Sequence, residues 1–310
     1  MPEPKEVNPQ QYRIVVGVDG SDESKEALRW ASRLAGAYGG EIVAVHALGL
    51  VEALGGELVP GHKHRAEIEQ VMANDWCGAV CRSGLGFRAV VREGDAINVL
   101  VDTAREEHAD LLVVGSRGIG GAPALALGST SLHVLQRCPV PVLVVPDRDR
   151  VGRHLALRRI LVAVDGTRAS NAAIEVAAEL ATVFGAGLEV VHAIEDIPVF
   201  PLGPAGRMSS DGEAHAPQRA RRMLEPLCER ARRRHVPVHL SIERGSPDDV
   251  LPDRAAAIDA DLVVTATQRW GDAASPLLAS VSRRTAGFGY RPTLVVPVTV
   301  ADEQPARSTA

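Results

Sequence analysis

Short runs of Val, Ile and Leu alternate along the chain with longer segments in which apolar residues recur every three or four positions. Runs of the first kind, without polar alternation, predict strands buried on both faces, and the longer segments predict helices laid over them. The pattern is that of a parallel sheet covered on both sides. In the first half, strands are expected near 12–18, 41–48, 86–91, 110–115 and 140–145, and helices near 22–38, 64–82, 96–108 and 129–137.

The same order then returns. Arg13 to Ser21 (RIVVGVDGS) reappears as Arg159 to Thr167 (RILVAVDGT), and Val45-His46-Ala47 as Val191-His192-Ala193, both 146 residues later. Glu93-Gly94-Asp95 reappears as Arg244-Gly245-Ser246, and Pro141 to Pro146 (PVLVVP) as Pro292 to Pro297 (PTLVVP), now 151 residues later. The second copy therefore carries five extra residues within the stretch equivalent to Ala47 to Gly94. A tandem duplication follows. Its domains are expected at 1–147 and 158–300, each large enough for its own core, with the charged stretch Asp147 to Leu157 as linker and a frayed polar tail from Ala301. The apolar runs Val140 to Val145 and Thr293 to Val298 read as edge strands that must be covered or paired.

Candidate chemistry gathers in the first copy. Val114 and Gly115 end the fourth expected strand and lead to Ser116-Arg117-Gly118; nine residues later Gly128-Ser129-Thr130-Ser131 opens a helix. Gly115 lets the backbone pass close to a ligand, Gly118 permits a turn, and Gly128 lets a phosphate approach the helix N-terminus. There the unpaired N–H groups and the hydroxyls of Ser129, Thr130 and Ser131 are donors for an anion. Val18-Asp19-Gly20-Ser21 follows the first strand, and open α/β sheets bind ligands outside the carboxyl ends of their strands, where strand order reverses.

This G-x2-G-x9-G-S pattern, with the strand-end Asp19 and the closing Pro-Val-Leu-Val-Val-Pro, resembles the universal stress protein family over nearly the whole chain, as two tandem modules. The resemblance implies an α/β fold of two tandem open-sheet domains, each a five-stranded parallel sheet of order 3-2-1-4-5 with helices on both faces. It also implies ATP as ligand, with Mg²⁺ as an accompanying ion. Asp19 would face the ribose or adenine end, Ala47 would offer backbone to the adenine, Gly115, Arg117 and Gly118 would line the ribose and phosphate loop, and Gly128 to Ser131 would hold the phosphates. Antiparallel pairing of the final strands between the two copies would make the chain a pseudo-dimer, with a homodimer as a further association.

The second copy departs from the motif. Gly115, Gly118 and Gly128 correspond to Ala266, Arg269 and Ala279, whereas Ser129 is kept as Ser280 and Asp19 as Asp165. Each replaced glycine gains side-chain bulk where backbone would approach phosphate. ATP is therefore expected in the N-terminal domain, and a degenerate phosphate site in the C-terminal one.

Composition narrows the alternatives. A net charge of -5, a pI near 6.1 and only 3% aromatic residues argue against a nucleic-acid partner. No run reaches the roughly 20 apolar residues of a membrane helix. The polar start and four cysteines without framework spacing suggest a reducing cytoplasm. Other local readings are structural: Asp19 as a turn or cap residue, Ser129 and Thr130 as an ordinary N-cap, His46 and His192 as buried and satisfied, Gly61 to His64 as a mobile loop, Cys77 and Cys81 as packing residues, and the arginines between 219 and 234 as a solvated helix face. A Ser129–His133 dyad lacks a third orienting group.

The leading function is an ATP-binding stress-response or signalling module that meets a protein partner the sequence does not identify. The alternatives are a slow ATPase or nucleotidyl-transfer enzyme using Asp19 and Mg²⁺, which would lack the P-loop lysine, and a nucleotide-free scaffold.

Overall fold

The computed structural model describes residues 12–49, 51–54, 57–118, 127–146, 157–195, 215–270, 273–274 and 291–300. The expected linker between 147 and 156, the tail from Ala301, and Ala279 and Ser280 lie outside the described residues. The chain divides into two compact units, Met1–Arg153 and His154–Ala310.

In the first unit, β1 (Arg13–Gly17) leads to α1 (Asp22–Tyr38), β2 (Glu41–Leu48) and a hairpin of β3 (Val51–Leu54) and β4 (Glu57–Pro60). Then come α2 (Arg65–Val71), α3 (Gly78–Cys81), β5 (Gly86–Glu93), α4 (Ala96–Glu106), β6 (Leu111–Gly115), α5 (Ser129–Arg137) and β7 (Val142–Val145). The strand order is β5-β2-β1-β6-β7, every pair parallel. Ile14, Val15 and Val16 of β1 and Leu112 of β6 are fully buried, as a central strand covered on both faces requires. The Asp110 carboxylate accepts from the Arg13 N–H at 2.7 Å and pins the entry of β1 beside β6.

Helix α1 shows why this segment folds where it does. Ser21 has an extended backbone and its Oγ accepts from the Ser24 N–H at 3.1 Å. Asp22 and Glu23 occupy the first turn, where the helix dipole favours negative charge, and Gly39 ends the helix at φ 65°.

The second unit runs β8 (Arg159–Ala163), α6 (Arg168–Phe184), β9 (Gly187–Ile194), α7 (Ala216–Arg232), β10 (Val238–Arg244), α8 (Pro247–Ala257), β11 (Leu262–Trp270), β12 (Ala273–Ala274) and β13 (Thr293–Val300). Its order is β10-β9-β8-β11-β13, again with parallel pairs. Gly185 ends α6 at φ 66°, and Asp261 accepts from the Arg159 N–H at 2.9 Å, repeating the devices of the first copy.

The expectation of two separate, wholly parallel five-stranded sheets is overturned. The strands belong to one eleven-stranded mixed sheet, ten of them in the unbroken path β10-β9-β8-β11-β13-β7-β6-β1-β2-β5, with β12 antiparallel to β11. An open strand edge leaves N–H and C=O groups unpaired, which is why the edge runs Val140 to Val145 and Thr293 to Val298 need cover or a partner, a demand that a sheet drawn copy by copy leaves unmet.

Two local expectations also change. The helix expected near 64–82 is broken: a π-helical turn, Met72–Trp76, separates α2 from α3. Gly61–Lys63 is a turn of 3-10 helix rather than a loop, followed by His64, whose Nδ1 lies 2.7 Å from Glu67.

Candidate functional site

A cleft of about 300 Å³ opens at the carboxyl ends of β1 and β6. These neighbours mark the reversal of strand order in the first unit, and the volume lies at the lower end of the range for small-molecule sites. Val18 and Asp19 line it just beyond β1, and Ala47 near the end of β2. Val114 and Gly115 close β6 on its other side, and Arg117 and Gly118 follow in the loop. The start of α5 supplies Gly128, Ser129, Thr130 and Ser131.

Gly20 and Ser21 stand outside the lining and shape the turn behind it. Gly20 has φ 85°, and a Cβ there would lie 2.6 Å from the indole of Trp76. Asp19 Oδ1 accepts from the Ser21 N–H at 3.0 Å and from Ser21 Oγ at 2.6 Å. Asp19 is thus a turn residue and a wall residue at once, while Ser21 is the cap of α1.

The glycines have internal reasons as well as ligand-side ones. A Cβ on Gly118 would fall on Asp19 Oδ2. One on Gly115 would come within 2.8 Å of Glu23 Cβ, so this glycine also lets α1 approach β6. At Gly128 the nearest atoms would be 3.4 Å away, an ordinary contact.

Helix α5 begins without a side-chain cap because its N-cap is Gly128, which overturns the reading of Ser129 and Thr130 as the cap. The first-turn N–H groups therefore bring an uncompensated helix end to the cleft wall, an arrangement suited to an anion. Ser131 is buried, and its Oγ donates to the Gly115 carbonyl at 2.7 Å, so its backbone N–H is what it can offer a ligand. His133 Nδ1 lies 2.7 Å from the Ser129 carbonyl oxygen, a helix-internal contact in place of a Ser–His dyad.

Sequence reasoning missed Gly17, Ser24, Val45, Ala96 and Leu100 as lining residues, and placed His46 in the core without assigning it to the wall. Ala96 and Leu100 come from α4 and carry no signal beyond an ordinary apolar helix face. His46 Nδ1 lies 2.8 Å from the Val18 carbonyl oxygen, and its ring meets Trp76 edge-on at 5.1 Å. His192 repeats the first of these contacts with Val164 at 2.8 Å.

The corresponding corner of the second unit is smaller, at about 70 Å³ among the described residues, and is lined by equivalents such as Asp165, Ser170, Ala193 and Ala266. Asp165 Oδ1 accepts from the Thr167 N–H at 2.9 Å, Thr167 Oγ1 at 2.6 Å and Ser170 Oγ at 2.8 Å. Ser24, the counterpart of Ser170, instead donates to the Ser21 carbonyl at 2.9 Å.

The remaining candidates stay structural. Arg230 and Arg234 pair with Glu175 at 3.1 and 3.0 Å, and Arg232 with Glu225 and Glu229 at 2.6 Å each, so much of the arginine-rich surface is neutralised locally. None of the four cysteines forms a disulfide. Cys77 and Cys228 are buried, and burial pushes their thiols up to about 12 and about 11; Cys81 is exposed rather than packed. Among the described residues no acidic, His or Cys cluster could hold a metal ion, and no helix is long and apolar enough to cross a membrane.

Comparison with known proteins finds the same family in both halves. The universal stress protein family matches residues 12–146 and again residues 156–297. The chain belongs to the universal stress protein family. It is similar to a universal stress protein of Mycolicibacterium smegmatis, 31% identical over 300 residues that span 92% of this chain and 97% of that one. A universal stress protein of Mycobacterium tuberculosis is 28% identical over 295 residues, 91% of this chain and 95% of its own. The crystal structure of a universal stress protein from Archaeoglobus fulgidus shares the fold, with a TM-score of 0.69 at 21% identity over 93% of this chain and 99% of that chain. This is thus a tandem universal stress protein with a cleft at the carboxyl ends of β1 and β6.

Proposed function

We propose that this universal stress protein binds ATP in its N-terminal half and acts as a nucleotide-dependent module in stress response or signalling. The observation that carries the reading is the uncapped start of α5 opening onto the cleft beside Gly118. In this reading the N–H groups of Ser129, Thr130 and Ser131 hold the phosphates, Arg117 lies along them, and Val18 and Ala47 border the adenosine end. Mg²⁺ would enter with the nucleotide and supply charge neutralisation to the phosphates. The C-terminal half lacks the glycines, its corner is smaller among the described residues, and we assign it no nucleotide.

A nucleotide switch requires that ATP favour one conformation over another, since equal affinity for both would shift nothing. The partner is then a protein that recognises the ATP-favoured surface. We place the molecule in the cytoplasm, where its free cysteines stay reduced, with the two halves forming a pseudo-dimer and a homodimer as the larger assembly.

Equilibrium titration with ATP tests this directly. Wild type should bind saturably, and the double variant Gly118→Val/Gly128→Val, still folded by circular dichroism, should lose at least tenfold in affinity, about 1.4 kcal/mol. Unchanged affinity would refute the site. Steady ADP release abolished by Asp19→Ala would replace the binding module with the slow ATPase.

A further inference from the structure

The cleft carries an ion pair of which the second unit has neither member. Arg117 Nη2 lies 2.9 Å from Glu23 Oε1, and the side chains are only 14% and 13% exposed. Arg117 is the single Lys or Arg among the described residues lining the cleft. The equivalent positions of the second copy hold Ala169 for Glu23 and Gln268 for Arg117. That half nevertheless builds a helix of the same length after the same strand, in the same parallel order. The fold therefore does not need the pair. What changes with it is the glycine set, and the corresponding corner is smaller among the described residues, which ties the pair to whatever the cleft receives.

We infer that Glu23 sets the charge seen by an entering anion: the phosphate of the bound nucleotide must compete with the Glu23 carboxylate for the Arg117 guanidinium. The inference rests on the nucleotide reading of the cleft and adds to it what tunes the affinity. A shielded carboxylate beside the cationic group of the wall opposes an incoming polyphosphate, because charges withdrawn from solvent are weakly screened. With Arg117 neutralised, the phosphate grip falls mainly on neutral main-chain donors of α5, and affinity stays below what the guanidinium alone would provide. Glu23 acts through Arg117 and is a positioning residue.

The experiment titrates ATP, adenosine and inorganic tripolyphosphate into the full-length wild type, Glu23→Gln, and Glu23→Gln combined with Arg117→Gln, at two salt concentrations. Glu23→Gln should tighten ATP and tripolyphosphate on the order of tenfold, steepen the salt dependence and leave adenosine unchanged. The double variant should lose the gain. Thermal unfolding checks the fold, and Glu23→Ala, the residue type that the second copy tolerates, serves as an independent replacement. Anion affinity that does not rise in Glu23→Gln, or a rise that persists without Arg117, overturns the competition. A wild type that binds no ATP, beside a Glu23→Gln protein that gains tripolyphosphate, sinks the nucleotide reading and sustains the competition. ATP binding that Glu23→Gln leaves unmoved does the reverse.

Discussion

Asp19 and Gly118 face each other so closely that even a methyl group at 118 would displace the carboxylate. Gly118→Ala should therefore shift the Asp19 carboxylate and disturb its bonds to Ser21, the cap of α1, lowering stability by about 1 kcal/mol, the low end of overpacking costs because only a side-chain end must move, measurable as a lower urea midpoint. The motif spacing identified Gly118 as a turn glycine beside a ligand; the clash with Asp19 depends on a residue about a hundred positions away and is visible only once β1 and β6 are neighbours. The thiols give a second residue-scale prediction. Since the thiolate is the nucleophile, burial that pushes Cys77 to about 12 and Cys228 to about 11 should leave both unmodified by iodoacetamide at pH 8 in the folded state, whereas exposed Cys81 should be alkylated first. Peptide mapping by mass decides the order, and rapid labelling of Cys77 would contradict the described burial.

At the scale of elements, the strongly patterned pieces were readable in advance. The central strands are uninterrupted aliphatic runs, and α1 announces itself through Ser21, two acidic first-turn residues and a terminal glycine. The β3–β4 hairpin was missed although Gly55-Gly56 between two short runs is a hairpin signal in the sequence. The break between α2 and α3 had no such signal, because Trp76 takes its place from its contact with Gly20, a tertiary demand. One ion-pair cluster makes a pH prediction at this scale. Glu107, just after α4, accepts from Arg88 at 3.0 and 2.6 Å, and this bond, aided by Arg13 and Arg92, holds its carboxyl below the usual range. A lowered folded value means that the stabilisation is fully present above the unfolded carboxyl value of about 4.3 and is lost as pH falls through the folded one. The stability gap between wild type and Arg88→Gln should therefore narrow from pH 6 towards pH 2.5 in urea titrations; a constant gap would remove Glu107 from the account.

At the scale of the whole molecule, duplication was plain from the repeated strand and turn sequences, while the single mixed sheet was only half legible: the aliphatic final runs mark an edge in need of a partner, and the pattern within each copy does not say which strand supplies it. The proposed functional asymmetry is likewise half legible. Ala266 and Arg269 in place of glycine mark the second copy as altered, but the tight Asp165–Thr167–Ser170 network and the corner of about 70 Å³ among the described residues appear only in three dimensions. On the proposed reading, one half binds nucleotide and the other does not. Native mass spectrometry of the full chain at saturating ATP measures it most directly: one ATP per chain is the predicted count, and two equivalent ATP molecules, or none, would contradict it.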